Sequence, residues 1–118
     1  MKILIVEDNP LLVQAIERAG EELRVGVDCA TDGWEAIEKL ESEEYAVIVV
    51  DADLPRHSGF GVPTYLREEI GGELGNVIVM TSSDCDDVRR KLTEHVNVIA
   101  KSSEMTALSA AMQLALRR

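Results

Sequence analysis

A run of four β-branched residues, Val47 to Val50, ends on a carboxylate at Asp51 and constrains the fold more than any other part of the sequence. A strand that is apolar at every position must be buried on both faces, which is typical of parallel sheets covered by helices on either side. Pro55 and Gly59 follow, and they favour a turn before any helix can begin. Ligands of open α/β sheets bind beyond the carboxyl ends of the strands, which is where Asp51 lies.

Strand and helix patterns alternate along the whole chain. Short apolar runs predict strands at 3–6, 25–29, 46–50, 77–80 and 96–100. Helical spacing of apolar residues predicts helices that begin after Asn9 and after Asp32, and others at about 62–70 and at about 84–95. A final helix is predicted to bury Met105, Leu108, Met112 and Ala115 or Leu116. Two of these helix starts carry capping signals, since Pro10 follows Asn9 and Glu35 lies three positions after Asp32.

The alternation predicts an α/β fold, a three-layer αβα sandwich around a five-stranded parallel sheet with right-handed crossovers. The most apolar strands, at 3–6, 46–50 and 77–80, should be central, whereas 25–29 alternates between apolar and polar residues and should lie at an edge. This arrangement gives the flavodoxin-like strand order 2-1-3-4-5. A chain of 118 residues can form one domain with a substantial core but not two, so we expect a single domain over 1–118.

The charge balance limits the classes of partner. The chain has 22 acidic and 12 basic residues, for a net charge of −10, which argues against direct contact with nucleic acid. No segment approaches the length of a membrane span, and the amino-terminal apolar run is too short for a signal peptide. Cys29 and Cys85 lack the spacing of metal ligands and are interpreted as free cysteines of a cytoplasmic protein.

Polar side chains follow four of the five predicted strands: Glu7 and Asp8, then Asp51, Thr81 and Lys101. Parallel strands bring their carboxyl ends to one rim of the sheet, where three carboxylates repel one another and favour a bound cation. Hard oxygen ligands with room for water suit Mg²⁺. Lys101 offers a positive charge to an oxyanion and Thr81 offers a hydroxyl donor. With a nucleophilic carboxylate, this set of groups is suited to phosphoryl transfer.

The whole chain resembles the receiver domain of two-component response regulators. The resemblance rests on Ile5 to Asn9, on Asp51 to Pro55 with Gly59, on Met80 to Ser82 and on Lys101. An aspartate with proline four positions later and glycine eight positions later is the phosphoacceptor signature of that family. The resemblance therefore implies that Asp51 takes a phosphoryl group from a histidine kinase or a histidine phosphotransfer protein.

The resemblance also implies roles for the other rim residues. Asp8 would bind Mg²⁺ directly, Glu7 would assist through water, and Asp53 would lend its backbone carbonyl. Thr81 and Lys101 would contact the phosphoryl oxygens. The expected metal set is Glu7, Asp8, Asp51 and Asp53.

A receiver domain is a signalling module and not an enzyme with a released product, although it assists its own phosphorylation and dephosphorylation. The resemblance implies that phosphorylation changes the face formed by the fourth helix, the last strand and the last helix, which would meet an output domain or target and could also form a dimer. Met1 directly precedes the first strand, so we expect nothing before this domain. The chain ends with the last helix, which fits either a stand-alone receiver or one excised from a carboxyl-terminal output domain.

Three positions depart from the family pattern. Ser102 replaces the proline that usually follows the lysine, and because a cis bond without proline costs about 3–4 kcal/mol we expect a trans bond there. Val98 replaces the aromatic residue that usually takes part in switching. Asp53 adds a fourth acid, which we expect to change the lifetime of the phosphorylated state.

Two alternatives remain open at this stage. A receiver-like interaction module that is not regulated by phosphorylation would share the fold, and Ser102 and Val98 favour it. The strand followed by Asp51-Ala52-Asp53 also resembles the first motif of haloacid-dehalogenase-type phosphatases. That family usually places this motif near the amino terminus, and it would leave Glu7 and Asp8 without a role.

Overall fold

The computed structural model describes residues 2–51, 77–82, 86, 97–101 and 105–116. Its elements are β1 (Lys2–Val6), α1 (Pro10–Glu22), β2 (Gly26–Ala30), α2 (Gly33–Ser42), β3 (Val47–Asp51), β4 (Val77–Thr81), β5 (Asn97–Ala100) and a C-terminal helix (Met105–Leu116). The predicted helices at 62–70 and 84–95 lie outside the described residues, apart from Asp86, which is helical. Within the described ranges, no helix is both long and apolar enough to cross a membrane.

The five strands form one parallel sheet in the order β2-β1-β3-β4-β5, which confirms the predicted topology. The three most apolar strands occupy the centre, and every residue of β3 and β4 is buried. The half-buried β2 is an edge strand, as its alternating sequence predicts. The register places the strand ends side by side, since Val6 pairs with both Ala30 and Val50, and Thr81 pairs with Ala100.

Both predicted caps are present at the helix starts. The Asn9 side chain accepts a hydrogen bond from the Leu11 N–H at 3.0 Å, and Pro10 occupies the first helical position. The Asp32 side chain accepts from the Glu35 N–H at 2.8 Å. Each cap satisfies a backbone donor that has no partner within its helix, so the local sequence determines where α1 and α2 begin.

The helices cover both faces of the sheet, which confirms the three-layer arrangement. α1 and the C-terminal helix pack on one face, where Ile16 and Met112 meet Ile3 and Ile5. On the other face, α2 contributes a second cluster, in which Ala36 and Leu40 pack with residues of β1, β3 and β4. Because helices pack on both faces of the central strands, the polar residues at the carboxyl ends of these strands are attached to a buried, well-packed sheet.

Candidate functional site

The carboxyl ends of the strands bring the predicted site residues to one rim of the sheet. Asp51 is the last residue of β3 and is 3% exposed, and Glu7 follows β1 directly and is 2% exposed. Thr81 ends β4 and is buried, while Lys101 follows β5 and is half-buried. Asp8 lies beside Glu7 and is exposed. The predicted convergence of these five residues is therefore present, whereas Asp53 lies outside the described residues.

Lys101 is paired with Asp51 across the neighbouring strand. Its Nζ lies 2.9 Å from Asp51 Oδ1. The Lys101 backbone N–H donates to the Thr81 carbonyl at 2.7 Å, and this bond fixes the chain directly after β5 against the end of β4. The ammonium thus offsets part of the negative charge on a carboxylate that the fold has removed from water.

The Glu7 carboxylate is held by the start of the next loop. Its Oε1 accepts hydrogen bonds from the N–H groups of Asp8 at 3.0 Å and Asn9 at 3.1 Å. Among the described residues its Oε2 has no hydrogen-bond partner, although it lies 3.9 Å from Lys101 Nζ. Burial raises the pKa of Glu7 to about 7, the hydrogen bond from Asn9 opposes this rise, and Asp51 adds to it. The Lys101 ammonium therefore lies farther from this carboxylate, at 3.9 Å, than from Asp51, at 2.9 Å.

Three carboxylates of the rim could hold a metal ion together. Glu7, Asp8 and Asp51 each offer one oxygen, and these oxygens lie within 4.8 Å of one another. The cluster faces a single nearby ammonium, that of Lys101, among the described residues. An orphaned buried oxygen and an excess of negative charge fit a hard divalent cation such as Mg²⁺, which prefers carboxylates together with water.

The end of β2 supports the rim in a way that sequence reasoning missed. The Glu7 N–H donates to the Ala30 carbonyl at 3.0 Å, and the Cys29 thiol lies 3.8 Å from the Glu7 carbonyl. Burial raises the pKa of the Cys29 thiol, which is free, as predicted. No sequence motif signals these contacts, because they follow from the pairing of β1 with β2. Cys85 lies outside the described residues.

Two departures from the receiver pattern lie close to Lys101. Val98 is 4% exposed and belongs to the core cluster on the α2 side of the sheet. The side chain at the position where receiver domains usually have an aromatic residue is therefore buried in the core. Ser102, and with it the geometry of the Lys101–Ser102 bond, lies outside the described residues.

Comparison with known sequences identifies relatives that match most or all of the chain. The sequence model of the response regulator receiver domain matches residues 3–113. The transcriptional regulatory protein TctD of Salmonella typhimurium is 32% identical over 120 residues, which is 100% of this chain and 53% of that protein. The response regulator protein PmrA of Pseudomonas aeruginosa is 39% identical over 85 residues, 71% of this chain and 37% of that protein. The chain thus spans about half the length of TctD and less of PmrA.

Solved structures show the same fold. The receiver domain of the sensor histidine kinase PA1611 from Pseudomonas aeruginosa, which has a magnesium ion in its active-site cleft, matches with a TM-score of 0.83 at 26% identity, covering 99% of this chain and 98% of that one. The Vibrio cholerae chemotaxis protein CheY4 matches with a TM-score of 0.83 at 20% identity, covering 98% of each chain. These similarities give no support to the phosphatase or to the unphosphorylated-module alternative. The chain belongs to the family of response regulator receiver domains, the signalling modules of two-component systems.

Proposed function

We propose that Asp51 is the phosphoacceptor of this receiver domain and takes its phosphoryl group from a histidine kinase or a histidine phosphotransfer protein. The observation that carries the proposal is the position of the Asp51 carboxylate, at the end of a buried strand with Lys101 Nζ at 2.9 Å and two further carboxylates beside it. Nucleophile, cation and metal ligands therefore meet at one point, as phosphoryl transfer requires.

In the proposed reaction, an oxygen of Asp51 attacks the phosphorus atom of a phosphohistidine. The new bond joins the carboxylate oxygen to phosphorus, and the phosphorus–nitrogen bond to the donor imidazole breaks with its electron pair going to nitrogen. Lys101 Nζ already lies beside Asp51 and would neutralise the charge that develops on the phosphoryl oxygens. The Thr81 hydroxyl, at the end of the neighbouring strand, would donate a hydrogen bond to the same group.

We assign Mg²⁺ binding to the carboxylates of Glu7, Asp8 and Asp51, with Asp53 as a further predicted ligand. When bound, the ion would offset the repulsion between the acceptor carboxylate and the incoming phosphoryl group. Glu7 is fixed for this role by the N–H groups of Asp8 and Asn9, which orient its carboxylate without using Oε2. Asp8 is exposed and so can bind a hydrated ion with little rearrangement.

The phosphorylated state would act as a signal. We propose that it changes the face formed by the fourth helix, β5 and the C-terminal helix, which then contacts an output domain, a target protein or a second copy. The proposed module assists its own phosphorylation and dephosphorylation and is otherwise not an enzyme. A cytoplasmic location remains a prediction from the sequence, in which Cys29 and Cys85 lack the spacing of metal ligands.

The test is intact mass spectrometry after incubation with acetyl phosphate, with and without Mg²⁺. We expect the wild type to gain one phosphoryl group only when Mg²⁺ is present. Asp51→Asn should gain none, because the amide is a poor nucleophile of nearly the same shape. An adduct that persists in Asp51→Asn would place the phosphoacceptor elsewhere, and no adduct on the wild type would contradict the proposal.

A further inference from the structure

The outer face of α2, which we define as Trp34, Glu38 and Glu41, presents a tryptophan next to two acids. Trp34 is 62% exposed in the first turn of the helix. Glu38 and Glu41 follow at four and seven positions and are exposed. Residues at these spacings share one side of a helix, so the three side chains form a stripe about 10 Å long. The buried residues of α2, including Ala36 and Leu40, lie on the opposite side.

The exposure of Trp34 is unusual for its residue type. Tryptophan has the largest apolar surface of any side chain and is mostly buried in folded domains. It is also strongly enriched among the residues that dominate the binding energy of protein interfaces. Core packing of α2 is already provided by Ala36 and Leu40. More than half of the Trp34 surface therefore remains accessible to a partner.

The exposed charges on this face are negative. Glu41 lies in the last turn of α2, where the helix dipole favours cations. Like charges three positions apart also repel each other. The surroundings share the same sign, since residues 2–50 include twelve acidic and four basic side chains. A positively charged partner would therefore be attracted to this part of the chain by its excess of negative charge.

We propose that the outer face of α2 binds a lysine- and arginine-rich amphipathic helix of a partner protein. Apolar side chains of that helix would pack on the Trp34 indole, and a guanidinium or ammonium group could stack on its face. Glu38 and Glu41 would pair with basic residues one and two turns along the partner. The interaction uses none of the rim residues and is independent of the phosphorylation of Asp51.

Other kinds of occupant are disfavoured by the same charges. Nucleic acids and anionic membranes present phosphate groups, which this acidic face repels. A second copy bound through the same face would bring two identical acidic stripes together, because a two-fold contact pairs equivalent patches. The charge complementarity therefore selects a basic segment of another protein.

Trp34 makes the proposal directly measurable because it is the only tryptophan of the chain. The probe is a synthetic peptide of about 14 residues with leucine and lysine at helical spacing, which corresponds to about four turns. Titration into the wild type should shift the Trp34 emission to shorter wavelength with saturation, and added salt should weaken binding. The same peptide with glutamate in place of lysine should not bind.

A matched pair of double variants separates the face from net charge. Glu38→Lys/Glu41→Lys should weaken binding by about tenfold or more, because the local attraction becomes repulsion. Glu17→Lys/Glu21→Lys changes two exposed acids of α1 by the same total charge and should weaken binding by less than about threefold. Asp51→Asn should bind the peptide as the wild type does.

Several results would overturn the proposal. Equal weakening in the two double variants would mean that the peptide senses only the net charge. An unchanged Trp34 emission, or binding of the glutamate peptide, would mean that the indole is not the anchor or that charge is irrelevant. A loss of binding in Asp51→Asn would show that the contact belongs to the phosphorylation site instead.

Discussion

Glu7→Gln is predicted to stabilise the metal-free protein at pH 8. The pKa of Glu7 is raised from its ordinary value of 4.5 to about 7, chiefly by burial, so the ionised form is disfavoured in the folded state. The contribution of Glu7 to stability is therefore fully present below pH 4.5 and is lost as the pH rises through 7. A pKa raised by this amount corresponds to at most about 3.4 kcal/mol at pH 8.

The isosteric amide should recover much of this free energy. The glutamine carbonyl can still accept from the N–H groups of Asp8 and Asn9, and its NH₂ group replaces Oε2, where it can donate towards Asp51. We expect a gain on the order of 1–3 kcal/mol in the free energy of unfolding at pH 8, and a gain close to zero near pH 4.5. Glu17→Gln, an exposed acid of α1, should change stability by less than about 0.5 kcal/mol at either pH.

Urea unfolding in EDTA, followed by circular dichroism at both pH values, provides the measurement. Mg²⁺ adds a second readout, because a ligand that binds only the folded state raises its stability in proportion to ln(1 + [L]/Kd). We expect this increase in stability to be smaller in Glu7→Gln than in the wild type. In the wild type it should be smaller at pH 6 than at pH 8, because at pH 6 Mg²⁺ must displace a proton from Glu7. A destabilised Glu7→Gln at pH 8, or a gain of equal size at both pH values, would refute the reasoning.

Three further substitutions test the scaffold by chemical unfolding. Arg24 follows α1 with a positive φ of 60°, and its N–H donates to the Glu21 carbonyl. Because glycine adopts this backbone conformation without strain, Arg24→Gly should stabilise the protein by about 0.5–1 kcal/mol, and a loss of stability would contradict the presence of backbone strain at Arg24. A Cβ at Gly20 would lie 2.5 Å from Val27 Cγ2, so Gly20→Ala should destabilise the protein by about 1–3 kcal/mol. Adding Val27→Ala should restore part of this loss, whereas an unchanged stability of Gly20→Ala would contradict the close packing. The Tyr45 hydroxyl donates to Asp28 Oδ2 at 2.8 Å, so Tyr45→Phe should destabilise by about 0.5–1.5 kcal/mol, and no loss would mean that the bond adds nothing.

The strands and the helix caps were predictable because each depends on residues that are neighbours in sequence. The strand order was predictable because strands that are apolar at every position belong in the centre of a parallel sheet. Four β-branched residues before Asp51 are enough to place β3 in the centre of a sheet, and Asn9 before Pro10 is enough to begin α1. The rim itself followed from topology, since parallel strands end at one edge. The polar residues that follow the strands in sequence could therefore be predicted to lie close together at that edge of the sheet.

The rest depended on contacts between distant parts of the chain. The sequence does not reveal that Glu7 is buried, or that one of its oxygens accepts no hydrogen bond from the described part of the chain. These features follow from two backbone N–H groups and from pairing with Ala30. A polar network at the opposite end of β1 was also missed. There Lys2 Nζ lies 3.1 Å from Glu43 and 3.5 Å from Asp28, residues 41 and 26 positions away in sequence.

The charge of the rim explains why one substitution is expected to act on stability and on metal binding in opposite directions. With Glu7 ionised, the carboxylates of Glu7, Asp8 and Asp51 exceed the ammonium of Lys101 by two negative charges. A divalent cation cancels that excess, whereas the metal-free domain reduces it by taking up a proton at Glu7, whose pKa lies at about 7. The same carboxylate therefore destabilises the metal-free domain and, under the proposed function, would strengthen cation binding. A rim that carries the Glu7→Gln substitution would be more stable and less able to hold the ion, so the proposed Mg²⁺ site would account for the unfavourable burial of Glu7.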